Sequence, residues 1–167
     1  MWFGDLVTMR WWDDLWLNES FAEWASHFAA HEIARRDGSD TYPWVSFANE
    51  RKAWAYLQDQ LSTTHPIAAD MSDLEKVEQN FDGITYAKGA SVLKLLVSFV
   101  GIEAFLTGVG RYFAKHAFGN TTLTDLLTEL EAASGRDLSW FSSEWLETSG
   151  VNTLRAEFLV DEKGTFT

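Results

Sequence analysis

The stretch Trp11-Trp12-Asp13-Asp14-Leu15-Trp16-Leu17-Asn18-Glu19-Ser20-Phe21-Ala22-Glu23-Trp24 decides how this chain folds. Within it Leu17, Phe21 and Trp24 recur at steps of four and three, and Phe28 follows four residues later, which puts all four on one face of an α-helix. The spacing predicts a helix over 13–36. Gly38 follows directly, and glycine ends helices because it enters the left-handed region without a Cβ clash.

Further along the chain, a second helix is predicted over 43–61, carrying Trp44, Phe47, Trp54 and Leu57. Pro43 suits its first turn, where a missing N–H leaves no bond unmade. Residues 62–66 break it, and 68–82 are polar and acidic enough to read as a loop with one short helical turn. From Ile84 to Val100 the apolar residues Ala90, Leu93, Leu96, Val97 and Val100 keep helical spacing up to Gly101, predicting the most buried helix. Three more helices follow over 103–116, 122–133 and 138–147, with short connections as in a helical bundle. After Gly150 the period changes to two: Leu154, Ala156, Phe158 and Val160 alternate with Arg155, Glu157, Leu159 and Asp161. That predicts a strand, a turn at Glu162-Lys163-Gly164 and a return strand at 165–167. The fold class is mainly α with a short β-hairpin at the C-terminus, and no internal repeat is present.

The composition narrows the function. Hydrophobic residues make up 46% and aromatics 15%, which demands a packed core and excludes a disordered tail. A formal charge of -12 repels phosphate backbones and anionic lipid, so neither nucleic acid nor a membrane is expected as a partner. A cation such as the free amino terminus of a peptide would be drawn in, although acidity for solubility alone is the plainer reading. With no cysteine there is no disulfide and no thiolate ligand, which favours the cytoplasm. The opening residues lack a basic segment followed by an apolar one, so no leader is read there.

The run from Trp2-Phe3-Gly4-Asp5 through Trp24 closely resembles the zinc aminopeptidases of the aminopeptidase N family, which are gluzincins. In that family a helix bearing H-E-x-x-H gives two imidazoles to zinc, and a glutamate on the next helix gives the third ligand. Counting back from Glu19, the second imidazole would sit immediately before Met1. The resemblance therefore implies a fragment beginning immediately after H-E-x-x-H, lacking both His ligands and the general-base Glu. A second segment, Phe81-Asp82-Gly83-Ile84-Thr85-Tyr86-Ala87-Lys88-Gly89-Ala90, resembles the one whose tyrosine donates a hydrogen bond to the tetrahedral intermediate. Thr64-His65-Pro66-Ile67 and Trp145-Leu146-Glu147-Thr148-Ser149-Gly150 also match in order, so the likeness covers nearly the whole chain. Ser20 is a departure, standing where relatives commonly carry Gly.

The resemblance implies that Glu19 is the zinc ligand and Tyr86 the catalytic oxyanion donor. The chemistry suits them: catalytic zinc takes three protein ligands plus a water, and a neutral phenol can meet a developing oxyanion without losing a proton. By position alone, each has a plainer reading, as a solvated glutamate near a helix start and a core tyrosine. Glu23, His27 and His31 follow Glu19 at steps of four, a spacing that can pinch a metal but more often marks a solvated face. His65 and His116 have no carboxylate or second His at ligand spacing and read as structural or surface residues. The acidic run 70–78 reads as a solvated rim.

By resemblance, then, residues 1–150 are the helical lobe of a thermolysin-like metallopeptidase catalytic domain, and 151–167 the first strands of a β-sandwich domain. The implied function is hydrolysis of the N-terminal residue from peptides with Zn2+ as cofactor, this fragment being inactive in isolation. The alternative is a non-catalytic interaction or scaffold module derived from such a peptidase. Apolar surface near Trp11, Trp12 and Trp16 is expected to promote self-association.

Overall fold

The computed structural model describes residues 1–152, 155–158 and 160. Helix α1 (Leu15–Asp37) forms the spine, entered through a 3-10 turn at Trp12–Asp14 and closed by Gly38 at φ 69°. Its predicted face is the buried one. Leu17 and Trp24 are shielded from solvent, Trp24 stacks on Phe28 with ring centroids 5.0 Å apart, and Phe21 meets Phe105 and Phe3.

Helix α5 (Gly89–Val100) packs across α1 and buries Ala90, Leu93, Leu96 and Val100. Gly101, at φ 87°, ends it and starts α6 (Ile102–His116), which pairs with α7 (Leu123–Ser134). Phe105, Tyr112, Leu126 and Leu130 join Leu17, Trp24, Leu93 and Leu96 in one continuous core. Among the described residues no single helix is long and apolar enough to cross a membrane.

Several features differ from the sequence reading. The helix expected over 43–61 is α2 (Pro43–Ser46), a π-helical turn at Phe47–Arg51 and α3 (Lys52–Asp59). The one expected over 138–147 is α8 (Ser139–Phe141) followed by a π-helical turn at Ser142–Leu146. A short parallel pair, β1 (Val7–Met9) against β2 (Gly119–Thr121), ties the chain start to the α6–α7 connection with Thr8 opposite Asn120. Strands this short hold too few residues to show a period. The short helix expected in the acidic loop is α4 (Leu74–Gln79), capped by the Asp73 carboxylate accepting from the Lys76 N–H at 2.9 Å. Trp16 does not contribute apolar surface: it is 1% exposed and belongs to the core, while Trp11 is 58% exposed. The expected C-terminal hairpin falls largely on 153, 154, 159 and 161–167, which lie outside the described residues.

Candidate functional site

Glu19 lies in the second turn of α1 and Tyr86 in the middle of a π-helical turn at Ile84–Lys88, which runs straight into α5. Their neighbours bring them together. Ser20 Oγ donates to the Thr85 carbonyl at 2.6 Å in a fully buried bond, so the residue after Glu19 is tied to the residue before Tyr86. Gly89 allows this approach: a Cβ there would lie 1.9 Å from Ser20 Oγ. The departure at Ser20 thus adds a cross-link between the two segments.

The Tyr86 phenol consequently lies within electrostatic reach of the Glu19 carboxylate. Its pKa is pushed up to about 12, first by burial, then by hydrogen bonding and charge interaction with Glu19, and further by Glu23, against an opposing pull from Arg51. A phenol in that range keeps its proton at neutral pH and is a hydrogen-bond donor. π-helical turns interrupt regular helices at functional sites more often than elsewhere.

The sequence reading missed Arg51. It holds Glu23 in a two-pronged ion pair, Nε to Oε1 at 2.6 Å and Nη2 to Oε2 at 3.0 Å, and lies over the Trp54 ring at 4.8 Å. No spacing rule connects it to Glu23, because the contact joins two separate helical segments. His27 faces its own turn, with Nδ1 2.9 Å from the Glu23 carbonyl, and both His27 and His31 pack on Trp44.

His65 has a partner that its place in the sequence does not reveal. No carboxylate stands at ligand spacing from it in sequence, yet Asp82 Oδ2 lies 2.8 Å from its Nε2, brought there by the segment, α4 included, that runs between α3 and the Tyr86 turn. His116 packs on the Tyr112 ring at 5.4 Å.

As a metal centre the arrangement is partial. Among the described residues no group of three His, Asp or Glu side chains converges, whereas zinc in a catalytic site requires three protein ligands. Glu19 offers one half-buried carboxylate, and the adjacent Asn18 Oδ1 is buried without a hydrogen-bond partner among the described residues. These residues fit one arm of a zinc site and do not complete one.

A family model described as the peptidase family M1 domain matches residues 1–145. Aminopeptidase N of Streptomyces lividans is 61% identical over all 167 residues, which cover 19% of that protein. Leucyl aminopeptidase of Saccharolobus solfataricus is 40% identical over 92% of this chain and 19% of its own length. Tricorn protease-interacting factor F2 of Thermoplasma acidophilum is 38% identical over 89% of this chain and 18% of its own. The chain spans about a fifth of the length of the curated relatives it matches.

Proposed function

This chain belongs to the peptidase family M1, and from that premise we propose that it is part of a zinc-dependent aminopeptidase that removes the N-terminal residue from peptides. In this reading residues 1–150 are the helical part of the catalytic domain and 151–167 open a β-sandwich domain. The observation that carries the proposal is the buried Ser20–Thr85 hydrogen bond, which joins the residue after Glu19 to the residue before Tyr86 and so brings together two groups delivered by separate helical segments.

Glu19 would occupy one coordination position of Zn2+, the other ligands coming from outside these residues. When bound, such a metal supplies a water acidic enough to be deprotonated near neutral pH. Tyr86 donates its phenolic hydrogen to the oxygen of the substrate carbonyl as negative charge builds there. A donor already aimed at that oxygen contributes about 3 to 4 kcal/mol to lowering the barrier. The Ser20–Thr85 bond fixes the distance between metal ligand and donor, and the Arg51–Glu23 pair holds the next turn of α1 in place.

The test uses the 61% identical relative: these 167 residues replace the matching segment of the Streptomyces lividans enzyme. The hybrid hydrolyses an aminoacyl nitroanilide. Tyr86→Phe lowers kcat by roughly 100- to 1,000-fold with zinc content unchanged, as for other oxyanion donors. Glu19→Ala lowers both the zinc content, measured by plasma mass spectrometry, and the rate. The 167-residue chain alone gives no turnover. A Tyr86→Phe hybrid with full activity would remove the mechanistic role, and a folded hybrid that never turns over would leave the interaction-module reading.

A further inference from the structure

Asp82 is the anchor of the turn that presents Tyr86. Its Oδ1 accepts the N–H groups of Ile84 at 2.9 Å and Thr85 at 3.0 Å, and its carbonyl accepts the Tyr86 N–H at 3.0 Å. Its Oδ2 accepts the side-chain amide of Gln58 and lies 2.8 Å from His65 Nε2. The orientation of Gln58 is fixed, because its Oε1 accepts the Gly83 N–H at 2.7 Å and its NH2 must therefore face Asp82. The other ring nitrogen of His65, Nδ1, lies 2.7 Å from the Pro66 carbonyl.

Only one assignment of hydrogens satisfies this network. A carbonyl can only accept, and a carboxylate already holding three other donors has no proton to give. Both ring nitrogens of His65 must then donate, which requires the cationic ring. We infer that His65 is held as an imidazolium at neutral pH and acts as a positioning residue, fixing through Asp82 the turn that aims the Tyr86 phenol. The catalytic consequence rests on the oxyanion-donor reading of Tyr86, whereas the charged state of His65 does not.

The surroundings agree. Burial pulls the His65 pKa down, but hydrogen bonds to Asp82 and Pro66 and the charge of Asp82 outweigh it, leaving the pKa raised despite an opposing push from Lys88. Asp70 and Lys76 line the same cavity, and they pair with each other at 3.4 Å. Because the folded value lies above the ordinary one, the cation is in place at low pH. The clamp is lost as pH rises through the folded pKa.

Two measurements test this. In 15N-labelled chain at pH 7, long-range 1H–15N correlation of His65 is expected to show two protonated ring nitrogens, with a titration midpoint above the ordinary value of about 6.5 that falls in Asp82→Asn. A single protonated nitrogen as the main form overturns the charged state. In the active hybrid, His65→Gln is expected to lower kcat by roughly 10- to 100-fold with KM little changed, the size of effect a misaimed catalytic group produces. His65→Lys, which keeps the positive charge, restores part of that rate and abolishes the alkaline decline that the wild type shows. Wild-type kcat and pH profile in His65→Gln overturn the positioning role. Full activity in Tyr86→Phe strikes the reading of Tyr86 and the catalytic consequence with it, while the ring-nitrogen spectrum still decides the charge.

Discussion

Asp59 and Lys88 form the most enclosed ion pair among the described residues, with Oδ2 2.8 Å from Nζ and side chains 3% and 17% exposed. Asp59 Oδ1 also accepts from Thr64 Oγ1 at 2.7 Å and from the Gly150 N–H at 3.0 Å, while Lys88 Nζ donates to the Gly150 carbonyl at 3.1 Å. The Gly150 N–H is thereby fastened to the end of α3 and its carbonyl to the turn that carries Tyr86. Burial pushes the Asp59 pKa up, but hydrogen bonds from Lys88 and Thr64 and the lysine charge outweigh it, and the net direction is down. A lowered carboxyl pKa stabilises above the ordinary value and is lost as pH falls through the folded one. Lys88→Met, which strands the carboxylate, is therefore expected to cost about 3 kcal/mol at pH 7, and the deficit should shrink below about pH 4 as Asp59 protonates. Urea denaturation at the two pH values measures it, and an unchanged gap would show that the charge of Asp59 is not the cause. Nothing in the sequence announces this pair, or that of His65 with Asp82, because the partners are set by tertiary closure. Glu19 and Tyr86 stand out in sequence only through motif likeness.

At the level of elements, the crossing of α1 and α5 depends on one small residue. Alanine is favoured over glycine in a helix by about 1 kcal/mol, so propensity alone would predict that Gly89→Ala stabilises. The Cβ would instead meet Ser20 Oγ at 1.9 Å and Ser20 Cβ at 2.9 Å, both in a buried contact with little room to relax. Gly89→Ala is expected to destabilise by about 1 to 3 kcal/mol, as overpacked cores do. Ser20→Gly/Gly89→Ala should then lose less than the two single changes together, since Ser20→Gly removes the clash that Gly89→Ala creates. Additive losses in thermal unfolding would show that the crossing is not the point of strain. The helices themselves were legible, because α1, α5, α6 and α7 each bury a stripe that repeats at the helical period. The three π-helical turns were not: one extra residue per turn shifts the stripe without erasing it, so 43–61 read as a single helix although α2 gives way to α3 through Phe47–Arg51.

For the molecule as a whole, aromatic content forecast heavy packing but not which rings would be packed. Trp16 and Trp24 fill the core, whereas Trp2 is 61% exposed, Trp11 58% and Phe118 91%. Trp2 rests edge-on against Phe113, and the Phe118 N–H donates to the Leu6 carbonyl, so both residues lie at the end of the molecule where β1 meets β2. Apolar side chains grouped in this way favour association, while a formal charge of -12 opposes it by mutual repulsion. The two forces respond differently to salt. Raising ionic strength from 0.15 M, where the screening length is about 8 Å, to about 1 M, where it is about 3 Å, removes the repulsion and leaves apolar contact intact. Sedimentation velocity should therefore show oligomers that grow with protein concentration and with salt. Trp2→Gln/Phe118→Asn should hold the chain monomeric in both conditions with an unchanged circular dichroism spectrum. Oligomers that dissolve as salt is added would point to charge pairing, and a wild-type chain that stays monomeric at high salt would mean that this exposed end is too small to bind a second copy.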